Sequence, residues 1–149
     1  MKLKQIIYLF LISGILFSCA NDGQKETKFN HLVEQFADIK VLRYKVPGFE
    51  ELSLKEKSLV YYLTQAGLAG RDIMWDQNYK HNLKIRAALE NINTNYTGDK
   101  ESEDFKAFKV YLKRVWFSNG IHHHYSNDKI KPDFTREYFE TDLLKKSNT

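Results

Sequence analysis

The stretch SEDFKAFKVYLKRVWFSNG, residues 102–120, decides the fold class. Phe105, Phe108, Leu112, Val115 and Trp116 recur at three- and four-residue steps, the spacing of one face of an α-helix. The pattern predicts an amphipathic helix over 102–117 with its apolar stripe on a core. Lys106, Lys109, Lys113 and Arg114 fall on the opposite side and are expected to form a solvated face. Glu101, Glu103 and Asp104 stand at the expected helix start, where the macrodipole favours acids. Asn119-Gly120 is a helix stop, because both residues tolerate the left-handed backbone.

Working back from that helix, a second is expected over about 81–93, with Leu83, Ala87, Leu89 and Ile92 at helical spacing. Residues 95–99, Asn-Tyr-Thr-Gly-Asp, read as the turn between the two. Ser53-Leu54-Lys55-Glu56 is a capping box that opens a helix carrying Leu59, Val60, Leu63, Ala66 and Gly67. The small residues Ala66, Gly67, Ala69 and Gly70 predict close approach of another backbone. Helix continues, or resumes after a kink, from Asp72 to about Tyr79. A short helix is expected around Phe29, Leu32, Val33 and Phe36. Residues 39–46 give the one good strand candidate, ended by Pro47-Gly48, and no partner for it is evident. A last helix is expected from Thr135 to about Lys146. The fold class is therefore mainly α with one or few strands, α+β.

Composition fits a folded chain. Hydrophobic residues make up 42% and aromatic residues 14% of 149, enough to build a core and too much for a disordered chain. The formal charge is +4, with Lys2 and Lys4 contributing two of those charges from the first few residues. So small a surplus gives no case for a nucleic-acid partner.

Residues 1–18 have the form of a secretory leader: Lys2 and Lys4, then an apolar run from Ile6 to Phe17 too short to span a bilayer. Leu16-Phe17-Ser18-Cys19 resembles the bacterial lipobox, in which a cysteine thiol takes the diacylglyceryl group before cleavage. The expectation is a lipoprotein anchored to a membrane through lipid on Cys19, in the bacterial cell envelope, facing the periplasm or the surface. An ordinary leader that contains a cysteine is the alternative. Residues 19–28 are small and polar and read as a flexible tether, and residues 29–149 as the folded segment. Cys19 is the only cysteine, so an intrachain disulfide and a cysteine zinc site are both excluded.

Ile121-His122-His123-His124-Tyr125 is the most unusual string. On a strand, neighbouring side chains point to opposite faces, so only His122 and His124 share a side, and two ligands are too few for a metal site. His31 and His81 join them only if the fold brings them there. The histidines, with Tyr125, Trp116 and Asn119, are candidate cleft or structural residues, and no metal is assigned to them. Tyr61, Tyr62, Trp75, Tyr79, Tyr111 and Phe117 are candidates for core or for a ligand cleft. No nucleophile elbow, phosphate-binding glycine loop or paired-carboxylate signature occurs.

Three sets of strings resemble the N-terminal part of bacterial members of the dipeptidyl-peptidase III family. They are residues 36–44 with 46–49, residues 59–63 through 70–73 and 76–78, and residues 105–108 through 115–126. The resemblance covers about residues 29–146. It implies a two-lobed zinc exopeptidase that removes dipeptides from peptide N-termini, with zinc held by an HExxGH-type and an EExxAE-type motif. Neither motif occurs in this sequence, so no catalytic residue carries over. The matching part belongs to the lobe that in the family also holds a small β-barrel, which would supply partners for the strand at 39–46. The resemblance implies an N-terminal fragment, inactive alone and binding no zinc by itself, that engages peptides only when the rest of the fold completes it. Two other readings stay open. One is a self-sufficient helical envelope lipoprotein binding a peptide or protein partner. The other is a metal-binding lipoprotein using His122 and His124.

Overall fold

The computed structural model describes residues 29–147. The leader, Cys19 and the tether read from the sequence lie outside the described residues. Everything that follows belongs to one unit beginning at His31.

The unit begins with an antiparallel hairpin, β1 (Leu32–Phe36) and β2 (Ile39–Leu42). The pairs Phe36 with Ile39 and Gln35 with Lys40 set the register, and a bulge falls between Leu32 and Glu34. Ala37 turns the chain at φ 48°. The helix expected at residues 29–36 is thus a strand. Its apolar spacing fits a helical face, but Val33 and Phe36 also suit a pleated surface, and the neighbouring strand settles the choice by pairing. The partner missing for the second strand is the segment just before it. That strand is also shorter than expected: it stops at Leu42, and Tyr44 and Val46 are exposed.

A hairpin alone is marginal in water. This one is tied to the helices by charge: Glu34 pairs with Lys113, Asp38 lies 3.7 Å from Arg114, and the Lys113 ammonium sits 5.7 Å from the Phe36 ring centre. The basic face expected to be solvated is therefore half-buried at Lys113 and Arg114, while Lys106 and Lys109 remain exposed.

Helix α1 (Leu54–Ala69) starts at the expected capping box. The Ser53 hydroxyl accepts from the Glu56 N–H, and the Glu56 carboxylate accepts from the Ser53 N–H at 2.8 Å. The Ser53 hydroxyl, which also donates to the Glu56 carboxylate at 2.7 Å, and then the Ser53 N–H hold the Glu56 carboxyl below its usual range. Helix α1 has no buried residue. Leu54 is 81% exposed, Tyr62 69% and Leu63 62%. The close backbone approach expected along its small residues is absent among the described residues. A Cβ on Gly67 would meet nothing within 4 Å, and one on Gly70 would meet only the carbonyls of Gly67 and Ala66 from its own helix.

The core lies further along the chain, among α2 (Arg71–Asn78), α3 (Asn82–Asn95), α4 (Glu103–Ser118) and a C-terminal helical stretch. Helix α4 buries Phe105, Phe108, Leu112 and Val115, the stripe read from the sequence, against Trp75, Leu89, Ile92 and Leu143. Trp116 departs from that stripe and is 39% exposed. The C-terminal stretch is helical where expected but not uniform: Arg136–Tyr138 and Leu144–Ser147 are α-helical, and Phe139–Leu143 between them is a π-turn. The class is α+β, mostly helical with one small two-stranded sheet.

A part-buried polar knot closes the core. The Tyr96 hydroxyl donates to Asp142 and lies 3.2 Å from the Tyr138 hydroxyl, and Lys146 pairs with Asp142. Burial, then the bonds to Asp142 and Tyr138, raises the Tyr96 phenol above its usual value. The Asp142 carboxyl is lowered, first by Lys146 and then by Tyr96. A depressed carboxyl stabilises the fold above its unfolded value of about 3.9 and loses that contribution as pH falls through the lower folded value. In acid titrations followed by melting, Asp142→Asn is expected to melt below the parent at neutral pH. The gap should close as pH falls through and below the carboxylate range, and a gap independent of pH would contradict this assignment.

Candidate functional site

The site is built around the corner after α4. Asn119 ends the helix at φ 51°, ψ 40°, and Gly120 follows at φ 152°. Both left-handed positions were legible as the helix stop. What holds the corner was not. Asn82 is fully buried at the start of α3. Its Nδ2 donates to the carbonyls of Trp75 (3.1 Å) and Asn119 (3.4 Å), and its Oδ1 accepts from the Ile121 N–H (3.3 Å). Asn78 Nδ2 donates to the Asn119 carbonyl at 3.5 Å. A Cβ at residue 120 would overlap the Asn82 amide, so glycine is required there for space as well as for φ. In the sequence Asn82 is one more polar residue in a first helical turn, and nothing in its spacing distinguishes it.

From this corner the histidine loop projects. Ile121 to His123 runs antiparallel to Asp128 to Ile130 through the Ile130 N–H to Ile121 carbonyl and the His123 N–H to Asp128 carbonyl, each 2.8 Å, with His122 bridged to Lys129. The alternation expected of a strand holds only this far. His122 is half-buried, its ring edge-on to Tyr79 at 5.4 Å, and Tyr79 meets His81 in the same way at 5.1 Å. His123 and His124 then pack against each other at 4.3 Å, tilted by 34°, His124 packs against Tyr125 at 4.2 Å, tilted by 51°, and Phe117 meets His124 edge-on at 5.0 Å. His123 Nδ1 accepts from the Tyr125 N–H at 3.2 Å, which places the His123 proton on Nε2 when the ring is neutral. His31 lies on the hairpin, where its Nδ1 is 3.2 Å from the Arg43 carbonyl.

The loop and helices enclose an open cleft of about 530 Å³. Asn78, Ser118, the three histidines and Asn127 are among its lining groups, with Tyr125, 89% exposed, at the edge. Among the described residues, no Asp, Glu, Lys or Arg lines it. Amides, hydroxyls and imidazoles offer donors and acceptors together, which suits an uncharged hydrogen-bonding chain such as a peptide main chain.

Among the described residues, no three of His, Cys, Asp and Glu gather closely enough to hold a metal ion. The imidazoles of His123 and His124 pack at a 34° tilt, and His123 Nδ1 is already occupied. The donor set present does not fit zinc. Of the residues singled out from the sequence, His122, His123, His124, Tyr125 and the backbone of Asn119 come together here. Trp116 faces a different cleft. Trp75 is core, while Tyr61 and Tyr62 lie exposed on α1. Cys19, the expected lipidation site, lies outside the described residues. Among those residues no helix is long and apolar enough to cross a membrane. No family model and no curated protein matches the chain.

Proposed function

We propose that this chain is the N-terminal portion of a zinc-dependent dipeptidyl-peptidase of the dipeptidyl-peptidase III type, anchored in the bacterial envelope through lipid on Cys19. It supplies part of the peptide-binding lobe and no catalytic group. The observation that carries the reading is α1. A helix whose residues 58–69 hold no charge, and which buries none of its side chains, has the composition of a core helix without its core. Val33, Val41 and Leu42 on the hairpin and Ile73 and Met74 on α2 add further exposed apolar surface. An isolated soluble domain rarely shows so much. In the proposed enzyme, the remainder of the lobe covers this surface and extends the hairpin into the barrel.

The uncharged cleft beside the histidine loop then forms part of the wall that grips the peptide main chain. Zinc and its activated water belong to motifs this sequence does not contain. The purified chain, given dipeptidyl-arylamide substrates with added zinc, is expected to show no turnover that a chelator abolishes. Chelator-sensitive turnover would contradict the proposal.

A further inference from the structure

A second cleft, of about 410 Å³, opens on the other side of the Asn119 corner, lined by Arg71, Trp75, Arg86, Glu90, Trp116 and Asn119. Its groups divide into satisfied and unsatisfied. Arg86 is fully engaged: it pairs with Asp72 at 2.6 Å, approaches Glu90 at 3.8 Å and lies over the Trp75 ring at 5.2 Å. Glu90 also accepts from the Trp116 indole N–H at 3.0 Å. That bond fixes the indole and leaves Trp116 partly exposed at the cleft wall. Arg71 is exposed and makes no hydrogen bond or ion pair among the described residues. The Asn119 carboxamide likewise has no partner there, although its backbone carbonyl is used twice.

We infer that this cleft binds a small aromatic monocarboxylate, the ring against Trp116 and the carboxylate on Arg71 with Asn119 beside it. A guanidinium presents a fork matched to carboxylate oxygens, and an indole wall favours a flat ring. Arg86 is paired with Asp72 and approached by Glu90, whereas Arg71 makes no ion pair among the described residues, although Asp72 lies near enough to feel its charge. A single carboxylate would give the Arg71 fork its partner, whereas a dianion such as a phosphate would bring more negative charge beside Glu90 and Asp72. The site is built from α2, α3, α4 and the corner, and it stands whether or not the chain is part of a peptidase.

The chain has two tryptophans, and both line this cleft, so intrinsic fluorescence reports on it directly. The full chain is titrated with 3-phenylpropionate, with its primary amide, and with an N-acetylated dipeptide ending in phenylalanine. A saturable change is expected with the free acid, and binding of the amide should be at least tenfold weaker. Binding of the dipeptide would identify a peptide C-terminus as the source of the carboxylate, and its absence a free acid. Arg71→Gln, at an exposed position with no hydrogen bond or ion pair among the described residues, should fold normally and bind the acid at least tenfold more weakly. Asn119→Gly keeps the left-handed corner and should weaken binding without lowering the melting temperature. Equal binding of acid and amide, undiminished binding by Arg71→Gln, or no saturable change would overturn the assignment.

Discussion

Asn82→Leu is expected to lower stability by about 3–5 kcal/mol and to free the histidine loop while leaving the helices formed. The replacement keeps the branched shape but is bulkier, so overpacking adds to the loss of the hydrogen bonds. The Trp75 carbonyl and the Ile121 N–H lose their Asn82 partner, and the Asn119 carbonyl keeps only the 3.5 Å bond from Asn78. A buried backbone group left without a partner costs about 1–3 kcal/mol. Thermal melting with amide hydrogen exchange checks this. The melting temperature should fall, and residues 119–127 should lose protection to a greater degree than the rest of α4. A variant that melts with the parent and protects the loop equally would show that the corner is held by something else.

Phe108→Ala is expected to cost as much by a different route. Phe108 is fully buried, with ring centres of Phe105 at 5.7 Å and Phe134 at 6.0 Å. Removing a buried phenyl ring loses its transfer energy and leaves a cavity, about 3–5 kcal/mol in all. That is a third or more of the stability of many domains. Here the loss should be global: chemical denaturation should shift for helices and loop together. A loss below about 1 kcal/mol would mean that the described core does not carry the stability of the unit.

The contrast between these two positions shows what the sequence could disclose. Phe108 was legible because a long helix repeats its apolar residues and the period exposes the stripe. The Ser53–Glu56 box and the Asn119-Gly120 stop were legible because their chemistry is local. Asn82 was not, since its three partners are at residues 75, 119 and 121, and only the tertiary fold brings them together. The hairpin was misread at residues 29–36 because five residues of strand carry too short a pattern to exclude a helical face. The π-turn at Phe139–Leu143 left no trace in the apolar spacing. The small residues of α1 pointed to a close neighbour that the described fold does not contain. The histidines were legible as unusual, but their packing against one another on a loop was not, because it follows from the corner that Asn82 and Gly120 build.

That bare helix is also what the functional account rests on. Helix α1 carries core composition on an open surface, and the proposed remainder of the peptidase is what covers it. The most direct test is to sequence the DNA beyond the codon for Thr149 and translate it. The account predicts coding sequence, in the same frame or just out of it, that carries an HExxGH string and, downstream, an EExxAE string. Its absence there in every frame would contradict the account.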